Sequence, residues 1–339
     1  MAPIRVGLMG LGRIGRNLFR ILYRRHDIQI AAISDIADHA SLEYLLRFDT
    51  LLGRFPDEVK IADGHLYVVG KQIPILAGAG PADVDWRELG VDYVVEATGR
   101  HRTRSDFDQY LERGARRVVL CAPPADPPDM TVVMGVNHDL LKDEHRIVSN
   151  ASCTAHCAAP VMSILHDAFG IRKAFLTTVH AYTNQDRLAD VPTEDPRRGR
   201  AAAQNIIPQK TASAEVLMEL IPELQGRITA MAMNVPVPDG SVVDLVCWHD
   251  RPVSVTAINE VVRTAALGNW TGILDYEDEP IVSTDILRTN YSSTFDSLAT
   301  MVLGEGVSKT LAWYDNGFGY ANRVVDLIRH FASMDREAA

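Results

Sequence analysis

Apolar residues run almost unbroken over Ile4–Met9, stop at Gly10-Leu11-Gly12-Arg13-Ile14-Gly15, and resume at helical spacing to about Arg25. The pattern predicts a strand, a glycine turn and an amphipathic helix, then a second strand over 28–33 that ends in Ser34-Asp35. Apolar runs at 66–69 and 73–76 bracket Gly70-Lys71-Gln72 and predict a hairpin inserted in the sheet. Further strands are predicted at 92–96, 118–121, 131–134 and 146–148, with a helix over 105–113. Strands alternating with helices imply an α/β fold built on a parallel, doubly wound sheet.

After the strand at 146–148, Val161, Ile164, Leu165 and Ala168 recur at helical spacing, so Cys153 is predicted to open a helix with Ser152 as its N-cap. From Ala174 the pattern changes to a strand that ends in His180-Ala181-Tyr182-Thr183. Residues 227–236, 241–248 and 309–315 read as strands, and 256–267 as a helix.

The chain has 339 residues, enough for two domains with separate cores. Hydrophobic content of 47% and charged content of 23% are ordinary for a globular protein. No apolar run approaches the ~20 residues that cross a bilayer, and no signal peptide precedes the first strand, so a cytoplasmic location is expected. A net charge of -10 argues against nucleic acid as a partner. Four cysteines do not make a disulfide framework.

The glycine turn lies between strand and helix, and Asp35 follows twenty positions after Gly15. That context predicts a dinucleotide site. The glycines admit a pyrophosphate, the helix start binds it, and Asp35 accepts from a ribose hydroxyl. The same carboxylate repels a 2'-phosphate, which favours NAD over NADP. Ligands sit at the carboxyl ends of such strands, which puts Thr98 and Cys121 beside the cofactor.

Cys153 is the candidate nucleophile. Unpaired N–H groups and the positive end of the helix dipole are expected to stabilise its thiolate. Cys157 reads as an inert buried residue, and Cys153, Cys157 and His156 fall short of a four-ligand zinc set, so no metal is expected. His180 is the natural partner base for a thiol, although sequence alone does not bring the two together.

The segments 149–157, 177–183, 201–208, 241–245 and Tyr314-Asp315-Asn316 resemble the phosphorylating glyceraldehyde-3-phosphate dehydrogenase family. The resemblance covers essentially the whole chain. It implies an NAD-binding Rossmann-type domain over 1–152 joined by a C-terminal helix in 318–339, and a catalytic domain over 153–317 with a mostly antiparallel sheet. It further implies that Cys153 attacks an aldehyde, His180 acts as base, Asn316 fixes the nicotinamide, and inorganic phosphate releases an acyl phosphate. A homotetramer follows from the resemblance alone, with residues 184–205 forming a loop that reaches the neighbouring subunit's cofactor.

The family binds two phosphates. Matching its motifs assigns them to Ser152, Thr154, Thr183, Arg198, Arg200, Thr211 and Ala212. The chain departs from the family at several of these positions. Asn234 stands where the family carries a phosphate-clamping arginine, which removes a fixed charge and a bidentate fork. Thr211-Ala212-Ser213-Ala214-Glu215 replaces Thr-Gly-Ala-Ala-Lys. Ala155, His156 and Gly317 also differ from the pattern, and Lys210 is a candidate replacement cation. The leading expectation is oxidation of glyceraldehyde 3-phosphate. The alternatives are a paralogue taking another aldehyde, such as erythrose 4-phosphate or an unphosphorylated one, and an NAD-bound thiol sensor with little turnover.

Overall fold

The computed structural model describes residues 3–78 and 80–337. They form two compact units, one of Met1–Val132, His138–Ala151 and Ala321–Ala339, the other of Val133–Asn137 and Ser152–Tyr320.

The first unit is built on a nine-stranded sheet. Its order is Met130–Thr131, Ile147–Ser149, Arg117–Leu120, Tyr93–Glu96, Ile4–Met9, Ile28–Asp35, Lys71–Ala77, His65–Val68 and Val59–Ala62. The first seven of these strands run parallel, and the last two continue as an antiparallel meander. Chain order reverses between Ile4–Met9 and Tyr93–Glu96, the switch point where doubly wound sheets bind ligands. The core gathers Val94, Val118, Ile147, Trp86, Phe107 and Tyr110. The helix Arg13–Leu22 buries Leu18, Phe19 and Leu22 and stops three residues short of Arg25.

The strand predicted at 131–134 is shorter than its apolar content suggests. Only Met130–Thr131 pairs, because Val133 donates its N–H to Asn137 Oδ1 in a turn instead of to a neighbouring strand. Patterning also left several elements unassigned, among them the helices His39–Arg47 and Ser213–Leu220 and the strand Ser293–Leu303. In that strand the first five residues are all buried although four of them are Ser, Thr or Asp, so no alternation is visible.

The second unit holds a seven-stranded sheet, ordered Ile207–Gln209, Ile228–Val235, Ile171–Ala181, Ser241–His249, Val307–Tyr314, Ser293–Leu303 and Leu274–Glu277. Four of its six pairings are antiparallel. The helix Cys153–Phe169 covers one face, where Thr178, Val243, Leu245, Ala312 and Tyr314 are buried. The opposite face presents Phe175, Met231 and Met301, which remain exposed, with Phe175 packed edge-on against Trp248.

Among the described residues no helix is long and apolar enough to cross a membrane, and no group of three or more His, Cys, Asp or Glu is arranged to hold a metal ion.

Candidate active site

In the first unit, Gly10 has φ 91°, and a Cβ there would stand 3.1 Å from the Thr98 backbone. Gly15 lets its helix press on the turn, since a Cβ would lie 2.0 Å from the Gly10 carbonyl oxygen. Gly12 is different. A Cβ added there meets no protein atom within 4 Å, so the missing side chain leaves open space at the start of the helix. Gly12 is also the N-cap of that helix and supplies no side-chain bond, which leaves first-turn N–H groups for an anion.

The Arg13 Nη1 atom is buried without a hydrogen-bond partner among the described residues, and Ile14 is half-buried beside it in the first turn. Asp35 ends the neighbouring strand and accepts from the Leu11 N–H at 2.6 Å and the Ala37 N–H at 2.9 Å. Open space, an uncapped helix start and a fixed carboxylate together fit a dinucleotide, with pyrophosphate over Gly12 and a ribose hydroxyl at Asp35.

Beside them, the Thr98 N–H and hydroxyl both donate to Glu96, whose other oxygen accepts from Tyr110 at 2.5 Å. Burial raises the Glu96 carboxyl above the usual carboxylate range. Burial, and then the Glu96 charge, raise the Cys121 thiol.

In the second unit, Ser152 is extended and its Oγ accepts from the Ala155 N–H at 3.1 Å, so the helix starts at Cys153 with a side-chain cap. Cys153 Sγ lies 3.5 Å from His180 Nε2. On the other side of the ring, Nδ1 lies 2.6 Å from the Ala181 carbonyl oxygen. A carbonyl can only accept, so the neutral ring carries its proton on Nδ1 and turns the Nε2 lone pair toward the sulfur.

The Tyr314 ring meets the His180 ring edge-on with centroids 6.0 Å apart. Its buried hydroxyl is held between Thr154 Oγ1 at 2.9 Å and Thr178 Oγ1 at 2.8 Å. Ser241 Oγ accepts from the Ala181 N–H and donates to Asn316 Oδ1 at 3.3 Å, which anchors both the end of the histidine strand and the buried Asn316.

The expectation of a lowered thiol pKa is overturned. Burial pushes Cys153 up to about 11, outweighing the N–H and hydroxyl of Thr154 and the N–H of Cys153 itself, while the charge of Asp239 adds to the rise. The residue is partly exposed, but the sulfur lies in dense surroundings. A helix terminus contributes typically ~0.3–1 kcal/mol, and desolvating a thiolate costs more than that here.

The residues matched to phosphate positions are mostly engaged by other side chains of the protein. Thr154 is committed to Tyr314 and Thr211 Oγ1 to Ser213 Oγ, while Ala212 begins the helix Ser213–Leu220 without a side-chain cap. Arg198 reaches Gln185 Oε1 at 3.3 Å, Arg200 pairs with Asp190 at 2.9 Å, and Lys210 is exposed.

Asn234 is buried in register with His180 on the adjacent parallel strand. Its amide nitrogen donates to both oxygens of Asp186, at 3.0 Å each. Thr183 donates its N–H and its hydroxyl to the same carboxylate. Sequence reading missed Asp186. A Thr followed by Asp three residues later marks a turn, but the bond to Asn234 spans 48 positions and leaves no local trace.

Comparison with known proteins finds a family match in each half of the chain. Residues 4–104 match the model of the glyceraldehyde 3-phosphate dehydrogenase NAD-binding domain, and residues 152–316 that of the C-terminal domain. The chain is 45% identical over 331 residues to glyceraldehyde-3-phosphate dehydrogenase of Geobacillus stearothermophilus, covering 97% of this chain and 98% of the relative. It is 46% identical over 332 residues to the enzyme of that name from Mycobacterium leprae, covering 96% and 97% respectively.

The chain belongs to the glyceraldehyde-3-phosphate dehydrogenase family. It is accordingly an NAD-dependent oxidoreductase of glyceraldehyde-3-phosphate dehydrogenase type. A third relative within the family, glyceraldehyde-3-phosphate dehydrogenase 1 of Bacillus subtilis, is 43% identical over 330 residues.

Proposed function

We propose that this chain oxidises a small aldehyde to an acyl phosphate through a covalent adduct on Cys153. Glyceraldehyde 3-phosphate, giving 1,3-bisphosphoglycerate, is the reaction that the family resemblance implies. The observation that carries the reading is the 3.5 Å approach of Cys153 Sγ to a His180 nitrogen held in its basic tautomer by the Ala181 carbonyl.

As Sγ adds to the aldehyde carbon, Nε2 takes the thiol proton and passes it to the new oxygen, giving a thiohemiacetal. The Cys153 N–H at the helix start and the protonated His180 ring are the donors available to that oxygen while it is negative. NAD, when bound, supplies the hydride acceptor that turns this adduct into a thioester. Nε2 removes the hydroxyl proton in that oxidation. Inorganic phosphate then attacks the thioester carbon, the C–S bond breaks, and the sulfur leaves as a thiolate that regains its proton from His180. Gly12 and Asp35 hold the dinucleotide, and Asn316, anchored by Ser241, holds the nicotinamide.

The exposed apolar side of the seven-stranded sheet supports the homotetramer that the family resemblance implies. The raised thiol speaks against a peroxide sensor, since oxidation follows thiolate character.

The test is a single-turnover assay with NAD and aldehyde but no phosphate. A burst of NADH equal to the enzyme concentration, with an acyl mass on Cys153, is expected, and phosphate should convert it to steady turnover. Cys153→Ser should abolish the burst, and His180→Asn should slow it by about 10²–10⁴-fold. A burst that survives Cys153→Ser would rule the covalent route out.

A further inference from the structure

Three donor groups from two residues converge on Asp186. The Asn234 amide nitrogen lies 3.0 Å from both carboxylate oxygens, which share one of its N–H groups, and Thr183 gives its N–H at 2.8 Å and its hydroxyl at 3.2 Å to Oδ2. This is the donor set that an oxyanion needs, and it lies where motif matching assigns a phosphate. It is also next to the catalytic pair. Asn234 is the register partner of His180, both side chains share one face of the sheet, and Thr183 follows His180 by three residues.

We infer that the anion subsite beside His180 is filled by the chain's own Asp186, and that the substrate is therefore an uncharged hydroxy-aldehyde with no phosphate at its far end. The inference rests on the Cys153 chemistry proposed above and narrows its substrate.

Three observations lead the same way. Asn234 offers no positive charge, and its amide nitrogen is held against both oxygens of Asp186. Arg198 and Arg200, the arginines matched to phosphate positions, bond Gln185 and Asp190 within their own loop. A second carboxylate, the buried Asp239, acts on the Cys153 sulfur with a negative field. A phosphate entering this subsite would have to displace one carboxylate and approach another, with the uncharged Asn234 in the place of a clamping cation. A hydroxyl needs neither displacement nor countercharge.

A charge-assisted hydrogen bond is worth a factor of roughly 10 to 150 in binding. Its absence sets the expected size of the effect. The experiment compares kcat/KM for glyceraldehyde and for glyceraldehyde 3-phosphate, both with NAD and inorganic phosphate, in wild type, Asp186→Asn and Asp186→Asn/Asn234→Arg.

Wild type is expected to use glyceraldehyde at least as well as its phosphate ester. The ratio of phosphorylated to unphosphorylated kcat/KM should rise about tenfold in Asp186→Asn and about a hundredfold in the double variant, mainly through KM. Thermal stabilisation by NAD reports folding of each variant independently of turnover. Asp186→Asn, at a partly exposed position, keeps the test usable if the larger arginine does not fit.

A wild type that prefers glyceraldehyde 3-phosphate by more than tenfold overturns the inference and leaves the covalent mechanism standing. A ratio unmoved by Asp186→Asn in a folded variant overturns it as well. If neither aldehyde yields NADH or an acyl mass on Cys153 in a wild type that binds NAD, the covalent mechanism itself fails, and the inference falls with it.

Discussion

At the residue scale the decisive balance is at Cys153. Burial raises the thiol to about 11, and the opposing influence is an imidazole 3.5 Å away. Moving the proton from Sγ to Nε2 replaces a lone buried charge by an ion pair. At an effective dielectric near 20, two unit charges at that distance attract by about 5 kcal/mol. That attraction offsets part of the desolvation cost, so the proton can move to Nε2 as the sulfur reacts even though the resting thiol is raised. The raised value and the usable nucleophile are therefore compatible, provided His180 is present. Iodoacetamide alkylation of Cys153 should titrate with a lower midpoint in wild type than in His180→Asn. Identical midpoints in the two proteins would show that the imidazole does not support the thiolate. The sequence made Cys153 and His180 readable, because each stands at the end of a regular element. It did not reveal the sign of the thiol shift, which depends on how closely Tyr314, Asp239 and the helix surround the sulfur.

At the scale of elements, the turn and helix at Gly10–Leu22 separate structural glycines from a binding one. Gly15→Ala forces a Cβ to 2.0 Å from the Gly10 carbonyl oxygen, so the helix must move, and a loss of stability in the 1–3 kcal/mol range is expected from thermal unfolding. Gly12→Ala adds a methyl to open space in a backbone conformation that alanine adopts freely (φ -65°, ψ -164°). Its unfolding temperature should stay within a degree or two of wild type, while its NAD affinity, read by fluorescence titration, falls at least tenfold. Equal NAD affinity in Gly12→Ala and wild type would remove the pyrophosphate from that position. This part of the fold was legible because its strand, turn and helix are contiguous. The strand Ser293–Leu303 and the helix Ser213–Leu220 were not, since polar residues fill buried positions in the first and the second is only eight residues long. The Asn234–Asp186 pair stayed hidden for another reason. Both residues look like ordinary polar substitutions until the sheet places residue 234 against the loop after His180.

At the scale of the whole molecule, the two-unit α/β organisation follows from periodicity, and nearly every parallel strand of the first sheet was read from it. The second sheet was harder, because its neighbours are distant in sequence and only pairing shows which side of each strand is covered. One side lies under the helix Cys153–Phe169. The other carries Phe175, which is 55% exposed, with Met231 on the neighbouring strand and Met301 three strands away. If further copies of the chain close that side, part of the folding free energy is lent by the surrounding solution and varies with how much protein it contains. For a dissociating assembly, each tenfold dilution removes about 1.4 kcal/mol per interface through mass action. The unfolding temperature of the wild type should then fall steadily over a hundredfold dilution, and Phe175→Lys should show a low temperature independent of concentration. A wild-type midpoint that ignores dilution would mean the sheet is stable with its apolar side in water. Otherwise the abundance of this enzyme sets its durability as much as its sequence does.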